Sequence, residues 1–179
     1  MKKILIGALV GGLILFIWQF ISYGMANLHY SQMEYTDKQD EVLAALAATG
    51  LEEGTYFMPT FEPGTPREEM EKAFEGRIGK PWAQVSYHSD MQNNMGANMA
   101  RGFVMNVIVM AILCWILLQF ADLTFGKSVL ASIGVGVIGY LVISYLNSIW
   151  FMTNSLPDLI DQVVQFGLAG SWLGWWLNR

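Results

Sequence analysis

Two stretches of the chain carry side chains capable of chemistry. The first, HSDMQNNMGANMARG over residues 88–102, sets Met91, Met95 and Met99 four residues apart behind His88 and Asp90. On a helix the three thioethers form one stripe. Thioethers are soft ligands that suit Cu(I), so one reading is copper handling. The other is packing: an apolar helix starts early, near Met91, and lays its stripe against a neighbouring folded segment, with methionine as gap-filler. Asn93, Asn94 and Asn98 then face water. A copper site ordinarily shows denser methionine or histidine, so the packing reading is adopted and no metal is expected. The second stretch, SLPDLIDQVVQ over residues 155–165, supplies Asp158, Asp161, Gln162 and Gln165. Ionisable groups inside a membrane mark proton relays or ion paths by default. Asp158 also fits the first turn of a helix capped by Ser155, with Pro157 beside it. Asp161 lies one turn deeper and, with Gln162 and Gln165, forms the candidate ion or proton site. A hydrogen bond to a neighbouring helix, or snorkelling to the interface, is the structural alternative for Asp161.

No phosphate loop, zincin motif, nucleophile elbow or dinucleotide fingerprint accompanies these residues, so no enzymatic activity, catalytic residue or cofactor is expected. The lone cysteine, Cys114, sits in an apolar run, which excludes a disulfide framework or a cysteine zinc site. A net charge of −5 leaves no basic footprint for nucleic acid.

The elements that must hold these groups follow from how the apolar residues are distributed. Of 179 residues, 54% are hydrophobic and only 14% charged, against about 25% charged in ordinary soluble chains. The apolar residues form four blocks with the charges between them. Residues 4–23 and 102–121 carry no charge, residues 128–152 are long enough to span with tilt, and residues 159–178 are the most polar block. About 20 apolar residues cross a hydrocarbon core. A cleaved signal peptide is the rival reading of the first block, with Gly24 and Ala26 near a cleavage site, but the run exceeds the usual apolar region of about 7–15 residues. The fold expected is therefore an all-α membrane protein of four transmembrane helices. A small external α/β insert separates the first two. The divisions are 1–23 for the first helix, 24–100 for the insert and 101–179 for three further helices.

Lys2, Lys3, Lys127 and Arg179 fall on one side of such a bundle, and the turn TNSLPD on the other has no basic residue. Both termini are thus expected to be cytoplasmic and the insert external, which in a bacterium means periplasmic. Within the insert, TDKQDEVLAALAATG reads as a helix capped at Thr36 or Asp37 and stopped at Gly50. GTPREEMEKAFEG predicts a second helix, with Thr65 as cap, Pro66 first in the helix and Glu68 completing a capping box. GTYFMP and KPWAQVSYH read as strands. Two strands alone are marginal, so the insert is expected to lean on the membrane helices or on a partner.

Small residues four apart allow close helix approach. Gly7 and Gly11 supply such a face in the first span, Ser128, Ser132 and Gly136 in the third, and Gly167, Ser171, Gly170 and Gly174 in the fourth. The second span lacks one, so the first, third and fourth are expected to make the tightest contacts. Asn106, Gln119, Asn147 and Gln19 are expected to tie helices together by hydrogen bonds. Trp172, Trp175, Trp176 and Arg179 read as an interfacial anchor.

MKKILIGALVGGLILFIWQFIS, followed by VLAALAATGLEEGTYFMP, resembles a widespread, uncharacterised family of small bacterial membrane proteins. Its members pair a Gly-rich first span with an external segment carrying a Gly-aromatic-aromatic-Pro-like run. The resemblance covers the first third of the chain, implies a bacterial inner (cytoplasmic) membrane and offers no catalytic residues to carry over. The function expected is a non-catalytic accessory or scaffold subunit of a larger membrane complex, in contact with lipid and other integral membrane proteins. Transport or ion handling at Asp161, Gln162 and Gln165 is the alternative, with copper handling through Met91, Met95 and Met99 behind it.

Overall fold

The computed structural model describes all 179 residues. It is mostly helical, with one two-stranded sheet, and divides into two compact units. The first, the helical unit, comprises Met1–Glu34 and Asn94–Arg179; the second, the insert, is Tyr35–Asn93.

In the helical unit, α1 runs Lys2–Gly24 and leads through Asn27, in the left-handed region at φ 53°, into a 3-10 turn at Leu28–Gln32. Asparagine tolerates that conformation because its short polar side chain carries little steric cost there. Then come α4, Met95–Leu117, and α5, Phe125–Gly139. Thr124 caps α5 by accepting the Lys127 N–H at 3.3 Å. A π-helical segment, Tyr140–Tyr145, continues α5 into α6, Leu146–Phe151. That helix stops at Met152, which adopts the left-handed conformation at φ 53°. The final helix, α7, runs Leu156–Leu177.

Three helices are long and apolar enough to cross a membrane: Lys2–Gly24, Met95–Leu117 and Phe125–Phe151. The helix α7 is of similar length but carries Asp158, Asp161, Gln162 and Gln165 in its first half. On α1 the division of faces is clear. Leu5, Leu9, Leu13 and Ile17 are exposed at four-residue spacing, while Gly7, Ala8, Gly11, Gly12 and Leu15 are buried. An exposed apolar stripe of this kind suits lipid. The core is built from Leu15, Met110, Leu113, Leu117, Phe166 and Leu173.

Glycines set the helix spacing. A Cβ on Gly170 would sit 2.6 Å from Ser132 Cβ and 3.1 Å from Val129 Cα. One on Gly136 would meet Phe166 at 2.8 Å and the Gln162 carbonyl at 2.9 Å, and one on Gly174 would meet Phe125 and Ser128 at 3.1 Å. Gly167 is looser, 3.7 Å from Ile133, and the Ser171 hydroxyl turns back to the Gly167 carbonyl at 2.8 Å. The expectation that α4 stands apart from the tight contacts is corrected. It has no small-residue face of its own, but α1 offers one to it. Gly7 abuts Cys114 Sγ, Gly11 abuts Met110, and a Cβ on Gly12 would lie 2.9 Å from the Val107 backbone. Smallness on one helix is enough for close approach.

In the insert, α2 spans Gln39–Ala48 and α3 Arg67–Glu75. Strands β1, Gly54–Met58, and β2, Ala83–Tyr87, pair antiparallel with Tyr56 opposite Val85. Gly50, at φ +70°, follows α2 as a left-handed stop. The capping box on α3 does not form. The helix begins at Arg67, so Pro66 is its cap, and the Thr65 hydroxyl turns back to the Glu62 carbonyl at 2.8 Å. Ser89 donates to the Glu53 carboxylate through its hydroxyl and backbone N–H, which holds that carboxyl below its usual pKa. No residue of Tyr35–Asn93 is buried.

Candidate functional site

Where the C-terminal end of α1 meets the N-terminal end of α7, the bundle interior turns polar. Trp18 and Ser22, one turn apart on α1, face Asp161. Asp161 Oδ1 accepts from Trp18 Nε1 at 2.9 Å and from the Ser22 hydroxyl at 2.7 Å. Its other oxygen, Oδ2, lies 2.9 Å from His29 Nε2. Ser22, His29 and Asp161 are 0%, 3% and 6% exposed, so this is a carboxylate–imidazole pair removed from water. The Tyr23 ring stacks on His29 at 3.7 Å between centroids.

His29 reaches the pair because the 3-10 turn folds back over the end of α1. The turn is held through Gln32, whose Nε2 donates to the Asn154 carbonyl at 2.7 Å and to Asp158 Oδ2 at 2.8 Å. Gln32 Oε1 then faces His29 Nδ1 at 2.7 Å. Asn154 adds a bond from its Nδ2 to the Ser31 hydroxyl at 2.9 Å. An open cavity of about 390 Å³ lies beside this cluster, lined by Gln32, Ser144, Asn147, Thr153 and Asp158 with Ile143. Part of its wall is the π-helical segment, a distortion frequently found at functional sites.

One layer deeper, Gln19 and Asn106 exchange two amide hydrogen bonds, at 2.8 and 3.2 Å, and Gln19 also donates to Gln165 Oε1 at 3.4 Å. This layer joins α1, α4 and α7. Every buried side-chain nitrogen and oxygen in the molecule has a partner. A fully satisfied polar network rigidifies a core, whereas a half-satisfied one would undermine it.

The site residues read from the sequence fall in several places. Asp161 and Gln165 enter the network, on one face of α7; Gln162 does not join it and is half-buried, its carbonyl against Gly136. Asp158 lies in the first turn of α7, but the Ser155 side-chain cap expected there is absent. The Ser155 hydroxyl pairs instead with Tyr140 OH at 3.0 Å, and Asn154 Oδ1 accepts the Leu156 N–H at 3.1 Å. The early helix start at Met91 is also corrected. Helix α4 begins at Met95, so Met91 lies outside it and the three methionines make no continuous stripe; all three are exposed. At the other end of α7, two of the tryptophans bond to α1. Trp176 Nε1 donates to the Lys3 carbonyl at 2.8 Å and Trp172 Nε1 to that of Gly7 at 3.4 Å, tying α7 to α1. Trp175 is exposed, with the Arg179 guanidinium 3.4 Å over its ring.

His29 was not among the residues singled out from the sequence. Its partner is 132 residues away and nothing local announces the pair. Asp161 and Gln165 were singled out as polar residues on an apolar helix, together with Gln162. Comparison with protein-family models, with curated proteins and with solved structures finds no match to this chain.

Proposed function

We propose that the chain is a four-span protein of a bacterial inner membrane that serves as a non-catalytic subunit of a larger complex, its insert completed by a partner protein. The observation that carries this reading is the insert itself. It has defined helices and a paired sheet, yet none of its residues is buried. Val42, Leu43, Phe57, Phe74, Ile78 and Trp82 are all more than 40% exposed. Apolar side chains left open on a folded segment support an interaction site there. The positions of Lys2, Lys3, Lys127 and Arg179 support a reading with both termini in the cytoplasm and the insert on the far side. The α7 helix is the fourth span in this reading, with Asp161 and Gln165 turned inward onto Trp18, Gln19 and Ser22 of α1.

Extraction from the native membrane in a mild detergent tests it. The chain should co-purify with a defined membrane or periplasmic protein. Recovery as a lone monomer, even after cross-linking in the membrane, would count against it.

The burial of Asp161 against His29 favours a second reading, proton or cation handling at that site. Reconstituted liposomes would then show a flux that Asp161→Asn abolishes.

A further inference from the structure

The hydrogen-bond pattern around His29 fixes where its protons are. Gln32 Nε2 touches a backbone carbonyl and a carboxylate, both pure acceptors, so that atom is the amide nitrogen and its partner Oε1 is the oxygen. His29 Nδ1, 2.7 Å from that oxygen, must therefore carry a hydrogen. On the other side, Asp161 Oδ1 is occupied by two donors, the indole N–H of Trp18 and the hydroxyl of Ser22. One further proton is needed on the line between His29 Nε2 and Asp161 Oδ2, where two bare lone pairs would otherwise face each other at 2.9 Å. With that proton the pair is net neutral. Without it, a net negative charge is left in a site screened from water, which is strongly disfavoured. Neutral His29 can satisfy one of its two acceptors, and only the imidazolium satisfies both.

We propose that His29 and Asp161 form a proton-binding site, reached from one aqueous face past Gln32 and Asp158, that fastens the Leu28–Gln32 turn to the bundle only while its proton is present. The bound ligand is the proton itself. The route is the cavity beside Gln32 and Asp158, since Gln32 is the link between that opening and the imidazole. The charged and titratable groups facing His29 are Asp161 and Asp158 from α7 and Tyr23 from α1, and no lysine or arginine pairs with either carboxylate. Burial by itself lowers the His29 pKa. The hydrogen bonds to Gln32 and Asp161 and the charges of Asp161 and Asp158 outweigh it, so the net shift is upward from the ordinary value. A group with a raised pKa in the folded state lends its full stabilisation below its ordinary pKa and loses it as pH rises through the raised one. The turn is therefore held in full below the ordinary histidine value and released as pH rises through the raised one. Leu28–Gln32 leads directly, in sequence, to the insert at Tyr35, so proton release loosens the tether from which the insert begins. The site lies wholly within the helical unit and titrates whether or not the insert binds a partner.

The chain has two histidines, so His88→Gln leaves His29 as a single probe. The full-length variant, labelled with ¹⁵N at histidine and held in lipid nanodiscs, is followed by NMR from about pH 5 to about pH 9, across the histidine range. Amide exchange at Leu28–Gln32 is measured in parallel. His29 should titrate above the ordinary value of about 6.5, holding a proton on both ring nitrogens below that midpoint and losing one above it. Exchange at the turn should rise at the same pH, by more than the base-catalysed increase common to exposed amides. Asp161→Asn should move the titration down, and so should Gln32→Leu, a change at a half-buried position that serves if the first variant does not fold. Titration of His29 at or below the ordinary value, titration without a change in exchange at the turn, or titration unmoved by whichever variant folds would each overturn the proposal.

Discussion

The helical unit and the insert solve the problem of burial in opposite ways. In the helical unit polar groups are drawn inward and every one of them is answered. Asp161 accepts from Trp18 and Ser22 and pairs with His29, Gln19 and Asn106 answer each other, and Gly12, Gly136 and Gly170 let the helices approach closely. In the insert, secondary structure forms but nothing is enclosed. Helix α3 is amphipathic in composition, yet Phe74 is 64% exposed. A bundle whose interior is complete needs nothing further to hold its shape, whereas a segment without an interior needs a surface to fold against. The polar cluster ties α1 to α4 and α7, and the insert is the part of the chain whose apolar side chains are left open.

Breaking the helical unit should have the largest effect. Asp161→Ala strands His29, Trp18 and Ser22 without their acceptor, and loss of one partner from a buried pair costs about 3–5 kcal/mol. Unfolding in mixed micelles measures it. Next is Gly170→Ala, whose Cβ would press on Ser132 and Val129; overpacking costs about 1–3 kcal/mol. Gly134→Ala, with open space at its Cβ, sharpens that test, because in the same assay it should be neutral or stabilise by up to about 1 kcal/mol. Gln19→Leu removes the ties from α1 to Asn106 on α4 and to Gln165 on α7 and should cost about 1 kcal/mol for each helix it releases. The smallest effect on folding belongs to the insert. Phe74→Ser and Ile78→Ser change exposed side chains and should stay within about 0.5 kcal/mol in the purified chain, while recovery of a complex falls. A large loss of stability from Phe74→Ser alone would erase the contrast between the two units.

Much of the helical layout was legible because apolar length and periodicity are local properties. The blocks at 4–23 and 102–121 fall within α1 and overlap α4, and the strand pair lies where GTYFMP and KPWAQVSYH alternate. Helix starts were read less well. Ser155 and Thr65 have the right residue type for caps, but each hydroxyl found a better partner elsewhere, Tyr140 and the Glu62 carbonyl. Cap preference is worth about 1 kcal/mol, which a tertiary hydrogen bond can match. The site was half legible. Asp161 and Gln165 announce themselves as polar residues on an apolar helix, but His29 lies beyond the end of α1, in a turn whose return to α7 depends on Gln32, Asn154 and Asp158 together. The π-helical segment at Tyr140–Tyr145 has no signature in the apolar run SVLASIGVGVIGYLVISYLNS.

Photo-cross-linking in the native membrane tests the central claim, that the insert is completed by a partner protein, most directly. A photoreactive residue replaces Phe74 on α3 or, as the control, Leu9 on the exposed apolar stripe of α1. Position 74 should join the chain to one discrete protein, and position 9 should give no protein adduct. If neither position captures a protein while the full-length chain stays folded and extracts as a monomer, the insert stands uncovered in the cell and the subunit reading is contradicted.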